Sequence, residues 1–207
     1  MTTKEVSACL IVIGNEILSG RTKDANLAFL AVSLNEIGVR LREARVIPDV
    51  EDTIVATVNE CRAKFDYVIT TGGIGPTHDD ITADAVAKAF GLKIGIHKEA
   101  YDRLLKHYGD PALFTPARQR MARIPDTATL VDNPVSVAPG FQIGNVFVLA
   151  GVPMIVEAMF HSLKHRLVGG APVLSRTVRT SLPEGTIAEP LAALQARYSD
   201  LEIGSYP

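Results

Sequence analysis

The chain has 207 residues, 47% of them hydrophobic, and a formal net charge of -2. That length and apolar content suffice for one large domain or one domain with a small appendage and argue against disorder, while the near-neutral charge leaves no basic field to gain from counterion release on nucleic acid. No apolar run approaches the roughly 20 residues needed to span a bilayer, and Met1 to Glu5 lack the pattern of a signal peptide, so a cytoplasmic chain without a membrane or nucleic-acid partner is expected.

Ala8 to Ile13 is a continuous apolar run ending at Gly14, the pattern of a strand buried on both faces of a parallel sheet. Asp24 then opens a segment with Leu27, Leu30, Leu34 and Ile37 at helical spacing, closed by Gly38, which predicts a helix with a cap at each end. Val39 to Ile47 reads as a strand, and Asp49 or Asp52 is placed to cap a helix burying Ile54, Val55, Val58 and Cys61. Asp66 to Thr71 is the third strand. This alternation predicts βαβ units and a parallel sheet covered on both faces.

Further along, Ile81 to Phe90 predicts a helix with Ala85, Val86, Ala89 and Phe90 facing inward; Lys98 to Tyr108 and Thr115 to Arg123 predict two more. Thr129 to Val131, Gly140 to Ile143 and Val146 to Leu149 are short strand candidates, the last two joined by a Gly144-Asn145 hairpin turn. Pro153 opens a helix running to about Leu167. After the linker Gly169 to Pro172, a strand over Val173 to Thr180, a helix over Ile187 to Tyr198 and a strand over Leu201 to Gly204 predict a partial α+β appendage, dividing the chain at 1–168 and 171–207. The two cysteines, Cys9 and Cys61, fall in apolar or helical patterns and are expected to be buried, reduced thiols.

The chemistry concentrates in Thr71-Gly72-Gly73-Ile74-Gly75-Pro76-Thr77-His78-Asp79-Asp80. Glycines between a buried strand and a helix let backbone N–H groups approach a phosphate at the positive helix terminus; the plainer alternative is a turn that needs glycine for its backbone geometry. The spacing fits neither a Walker loop nor a dinucleotide fingerprint. No Lys or Arg lies between Thr70 and Ala87, so backbone donors, the helix dipole and a bound cation are the expected local sources of positive potential. Asp79, Asp80 and Asp84 at the start of that helix either stabilise its N-terminus or, with Asp49 reaching the same sheet edge, supply carboxylates to Mg²⁺ beside ligand phosphates. His78 reads as a solvated loop residue. Glu16, just past the first strand, either accepts hydrogen bonds from a heterocycle or ribose or caps a turn. Asn133-Pro134 and Pro139-Gly140 supply turn chemistry.

Gly14-Asn15-Glu16-Ile17-Leu18-Ser19-Gly20, the loop Thr70 to Asp80, Asn133-Pro134 with Ala138-Pro139-Gly140-Phe141, Gly151-Val152-Pro153 and Gly204-Ser205-Tyr206-Pro207 together resemble the amino-terminal part of CinA, the competence/damage-inducible protein. This group lies in the molybdopterin-binding superfamily, with the adenylyltransferases MogA and MoaB and the N-terminal domain of some FAD synthases. The resemblance implies a three-layer α/β sandwich with a mostly parallel sheet. It also implies a phosphorylated small-molecule ligand such as molybdopterin or an adenine nucleotide, a divalent cation such as Mg²⁺, and a homo-oligomer, dimer or trimer. By this resemblance Asp49 and Asp80 are the catalytic candidates and Asp79 and Asp80 the metal candidates. Gly14, Glu16, Thr71, Gly72, Gly73, Gly75, Pro76, Thr77, Asn133, Pro139, Gly140 and Gly151 form the candidate ligand-binding set. The implied activities are hydrolysis of ADP-ribose-type pyrophosphates or, less closely, adenylyl transfer to molybdopterin; a catalytically silent ligand-sensing module is the alternative. Ser136-Val137 replaces the usual Gly-Thr-like pair and Ala150 the usual proline before Gly-Val-Pro. Relatives continue beyond the position of Pro207 into a deamidase domain, so deamidase activity is not implied.

Overall fold

The computed structural model describes residues 5–172 and 174–206. In chain order its elements are β1 (Val6–Ile13), α1 (Asn15–Leu18), α2 (Asn26–Glu36), β2 (Val39–Ile47), α3 (Glu51–Lys64), β3 (Tyr67–Thr71), α4 (Thr82–Phe90), β4 (Ile94–Ile96), α5 (Lys98–Tyr108), α6 (Pro116–Gln119), β5 (Arg123–Pro125), β6 (Thr129–Val131), β7 (Gly140–Ile143), β8 (Val146–Leu149), α7 (Pro153–Leu163) and α8 (Glu184–Arg197). Short 3₁₀ turns follow α6 and α7 at Arg120–Ala122 and Lys164–Arg166.

The apolar run of β1 occupies the middle of the molecule because neither of its faces can meet water. Cys9, Ile11 and Ile13 pack on one side with Ile54, Val58 and Cys61 of α3 and Ala85, Val86 and Ala89 of α4. Ala8, Leu10 and Val12 pack on the other with Leu30 and Leu34 of α2 and Val156, Met159 and Phe160 of α7. The result is the expected three-layer α/β sandwich, with a six-stranded sheet in the order β2-β1-β3-β8-β7-β6. β2, β1, β3 and β8 run parallel, whereas β7 and β6 are antiparallel to their neighbours. The carboxyl ends of β1, β2 and β3 therefore lie at one edge, where open α/β sheets bind ligands.

Several local expectations correspond to defined contacts. Asp24 Oδ1 accepts from the Leu27 N–H at 2.9 Å, opening α2. Gly144-Asn145 turns β7 into β8, and the Asn145 amide also donates to the carbonyls of Arg62 and Phe65, tying the hairpin to the end of α3. Cys9 and Cys61 are free and buried, with their sulfurs 3.5 Å apart; burial pushes both thiols up, so they stay protonated.

Other expectations need correction. Thr115 to Arg123 is not one helix: α6 stops at Gln119, and Arg123–Pro125 forms a ladder with β4. The helix from Pro153 ends at Leu163 and continues only as a 3₁₀ turn. A four-residue helix, α1, follows β1, where the sequence reading assigns no element.

The compact unit ending at residue 173 closes on itself by backbone contact. Gly170 N–H donates to Gly38 O at 2.8 Å, and Val168 N–H donates to the Tyr67 hydroxyl at 2.8 Å. A second unit begins at Leu174. It contains α8, close to the helix expected there, with Pro190 inside it. Residues 174–180 and 201–204 form no strand, and Val173 lies outside the described residues. The segments there have no partner strand among the described residues, and an unpaired extended segment has no ladder to stabilise it.

Candidate functional site

Gly72 and Gly73 adopt φ values of +102 and +68, a region that favours glycine. Space as well as backbone angle demands glycine here: a Cβ on Gly72 would lie 2.2 Å from Ile13 O, and one on Gly73 would lie 2.1 Å from Thr82 Oγ1. The loop is thus pressed between the end of β1 and the start of α4. Gly72 N–H donates to Leu149 O at 3.1 Å and Gly73 O accepts from Thr82 N–H at 2.9 Å, so Gly72 has no donor left for a ligand. The N–H groups of Gly73, Ile74 and Gly75 have no acceptor among the described residues.

Gly75 faces a carboxylate, since a Cβ there would meet Asp80 Oδ2 at 2.7 Å. Asp80 Oδ2 accepts from Thr77 N–H at 2.7 Å and from the Thr77 hydroxyl. The Thr77 hydroxyl, followed by Asp79's own backbone N–H, holds the Asp79 carboxyl below the usual carboxylate range. Thr77 therefore sits between the two aspartates, hydrogen-bonded to Asp80 and lowering the pKa of Asp79. Pro76 and His78 are exposed; His78 Nδ1 lies 4.0 Å from Asp79 Oδ1 with its ring 97% exposed, in keeping with a solvated loop residue.

Behind the loop, Thr70, Thr71 and Thr82 bury hydroxyl oxygens, and Asn26 an amide oxygen, without protein partners. An orphaned buried polar atom is costly unless water or a ligand reaches it, and all four flank the carboxyl end of β3. Asn26, which sequence reasoning overlooked, donates its amide to Gly151 O at 2.8 Å. Gly151 in turn packs on Gly72, a Cβ there lying 3.3 Å from Gly72 Cα.

The remaining candidates fall into two other groups. Asp49 Oδ2 accepts from Asn15 N–H at 2.8 Å, and the Glu16 carboxylate folds over Gly14, a Cβ there lying 2.6 Å from Glu16 Oε1. This corrects the capping expectation, because α3 has Val50 at its N-cap with no side-chain bond. It also corrects the expected convergence of Asp49 with Asp79 and Asp80: among the described residues no three His, Cys, Asp or Glu side chains gather closely enough to hold a metal. Asn133 spends its side chain on its own loop, donating to Ser136 Oγ and Ala138 O and accepting from the N–H groups of Val135 and Ser136. Gly140 is a packing glycine, its absent Cβ leaving room for Val148 O and Met159. Pro139 alone of this group lines the cleft beside Gly73, Gly75 and Asp80.

Two arginines also line that cleft. Arg123 pairs with Asp84; among the described residues Arg120 donates only to the Asp80 backbone carbonyl, at 3.5 Å. The expectation that no side-chain cation serves the loop covered only its sequence neighbourhood. The turn after α6 brings in Arg120 from 40 residues away.

The sequence profile described as "Probable molybdopterin binding domain" matches residues 9–170. The chain belongs to this family. The crystal structure of CinA from Thermoplasma acidophilum shares 36% identity with this molybdopterin-binding family member at a TM-score of 0.73, covering 79% of this chain and 99% of that one. MoaB from Pyrococcus furiosus, a tungsten-cofactor-synthesizing protein, superposes at a TM-score of 0.52 with 18% identity and shares the fold. An Archaeoglobus fulgidus protein is 35% identical over 96% of this chain and 84% of its own length. The "Probable FAD synthase" of Caenorhabditis briggsae is 34% identical over 97% of this chain, which spans 43% of that longer protein. Residues 172–207 match the FAD synthase middle domain. Among the described residues of this family member, no helix is long and apolar enough to cross a membrane.

Proposed function

We propose that this molybdopterin-binding-family domain binds the phosphate moiety of a phosphorylated pterin or an adenine-nucleotide pyrophosphate in the cleft between the glycine loop and Arg120. The observation that carries this reading is that Gly73, Ile74 and Gly75, whose N–H groups have no acceptor among the described residues, line a cleft with Asp80 and with Arg120, which has no carboxylate partner among the described residues. Such donors, at the start of α4, suit a phosphate.

The donor set fits a divalent cation that takes one or two carboxylates and completes its shell with phosphate oxygens and water. Asp80, through its oxygen not committed to Thr77, and Asp79 would hold it. When bound, the metal would neutralise phosphate charge and polarise the anhydride. Thr77 anchors Asp80 by two hydrogen bonds and favours the ionised form of Asp79, and the loop N–H groups hold the phosphate in place. For an ADP-ribose-type substrate the reaction is attack of water on phosphorus with cleavage of the P–O–P bond, giving AMP and ribose 5-phosphate.

A catalytically silent binding module is the second reading. Its support is that Asp49 and one oxygen of Asp80 are already occupied by backbone N–H groups. Calorimetric titration of ADP-ribose, ATP, FAD and molybdopterin, each with and without Mg²⁺, tests binding, and chromatographic detection of AMP tests turnover. Binding with metal-dependent release of AMP is expected; binding without products would favour the silent module, and no binding by any of the four would overturn the phosphate site.

A further inference from the structure

We infer that Arg120 makes the cleft selective for ligands with two consecutive phosphates, the glycine loop taking one and Arg120 the other. This rests on the reading of the cleft as a phosphate site.

The inference comes from a charge inventory of the cleft walls. Four ionisable side chains line it: Asp80, Asp84, Arg120 and Arg123. Asp84 and Arg123 cancel, because they pair directly, with side-chain exposures of 32% and 37%. The pair fixes the start of β5 against α4 and contributes little net potential. Asp80 and Arg120 remain, and among the described residues neither meets an opposite charge: the Asp80 carboxylate accepts from Thr77 alone, and Arg120 reaches the Asp80 carbonyl alone, by one long bond. A ligand with one phosphate, held by the loop N–H groups and a cation at Asp80, leaves the guanidinium without an anion. A second phosphate on the same ligand satisfies it.

The geometry of donors points the same way. A tetrahedral phosphate facing the N–H groups of Gly73, Ile74 and Gly75 has its inward oxygens engaged, whereas a guanidinium is a planar fork suited to two oxygens of one phosphate. Arg120 arrives on a separate segment, the 3₁₀ turn Arg120–Ala122, and lines the same cleft as the loop. Two donor groups of different shape, from separate segments lining one cleft, suit two linked phosphates better than one. Arg120 is exposed, so its contribution is also sensitive to ionic strength.

The test is calorimetric titration of the full chain and its Arg120→Ala and Arg120→Lys variants with ADP and with AMP, in Mg²⁺, at two salt concentrations. Arg120→Ala is expected to weaken ADP binding about tenfold, the loss of roughly one charge-assisted hydrogen bond. AMP binding should change less than twofold. Arg120→Lys, which keeps the charge but loses the fork, should fall between, and the ADP difference should shrink at high salt. Equal weakening of ADP and AMP, or no change in either, would overturn the inference while leaving the phosphate site standing. Failure of the unmodified chain to bind either nucleotide would instead overturn the site itself. The melting temperature of each variant is recorded; should Arg120→Ala melt lower, the comparison rests on Arg120→Lys, for which unaltered selectivity counts against the inference.

Discussion

Asp49 Oδ2 accepts a 2.8 Å hydrogen bond from the backbone N–H of Asn15, so the carboxylate that follows β2 satisfies the first turn after β1 and joins the ends of two neighbouring strands. Asp49→Ala removes that acceptor and should cost about 1 kcal/mol, the usual cost of a lost helix cap, lowering the melting temperature by about 2–4 °C. Asp49→Asn retains an oxygen acceptor and should melt near the wild type. Loss of AMP release in a normally melting Asp49→Asn would assign the charge a chemical role; retained turnover would leave Asp49 as a structural cap.

Gly73→Ala places a Cβ against Thr82 Oγ1 on a backbone with φ of +68. A non-glycine residue held in such a conformation costs about 1–3 kcal/mol, to which the contact adds. Thermal or urea denaturation should show a clear loss. Gly72→Ala should lose more, because its obstacle is the Ile13 carbonyl within β1, which cannot rotate aside. A fully stable Gly73→Ala would mean that the loop does not have this conformation in solution.

Val137 stands at φ +67, a conformation β-branched residues rarely adopt, in the loop organised by Asn133. Val137→Gly or Val137→Asn should relieve that strain. We expect a gain of up to about 1 kcal/mol, the net of relieved strain and, for glycine, added freedom in the unfolded chain. The corresponding rise in melting temperature is about 2–4 °C. A lower melting temperature for both variants would contradict the assigned conformation.

Asp79 is held below the ordinary aspartate range by the Thr77 hydroxyl and its own backbone N–H. A depressed folded-state value means stabilisation that is present above the unfolded pKa of about 3.9 and lost as pH falls through the folded one. Carbon-13 titration of the Asp79 carboxyl by NMR should give a midpoint below that reference, and Thr77→Ala should move it upward. Metal or phosphate binding that depends on an ionised Asp79 should therefore be flat from about pH 7 to pH 5. A midpoint at or above the reference would remove Thr77 from its role.

What was legible in the sequence was what depends on periodicity over a long window. β1 announced itself by six consecutive apolar residues, α2 by leucines at helical spacing, and the glycine loop by three glycines between a strand and a helix. Short elements were not legible: α1 spans four residues and β4 and β5 three each, too few to show a period. β5 is a strand because Ile94–Ile96 pairs with it, a tertiary fact that overrides the helical reading of Thr115 to Arg123. Residues 174–180 read as part of a strand but have no partner strand among the described residues. At the site, Asp80, Gly73 and Gly75 could be placed together from proximity in sequence. Arg120 could not, since nothing local marks it as the neighbour of Asp80, and Asp49 was drawn toward the wrong helix because Asn15, its actual partner, lies 34 residues earlier.

The close contacts around Gly72 and Gly73, with Ile13 on one side, Thr82 on another and Gly151 behind, have a thermodynamic consequence for recognition. A loop held in a left-handed backbone by the packing of its neighbours has already lost its conformational entropy when the chain folds. A phosphate bound at the proposed site would therefore meet preorganised donors and lose little of its interaction free energy to ordering them. The penalty is charged to the stability of the domain, which is why substitutions at these glycines should lower the melting temperature whether or not a ligand is present.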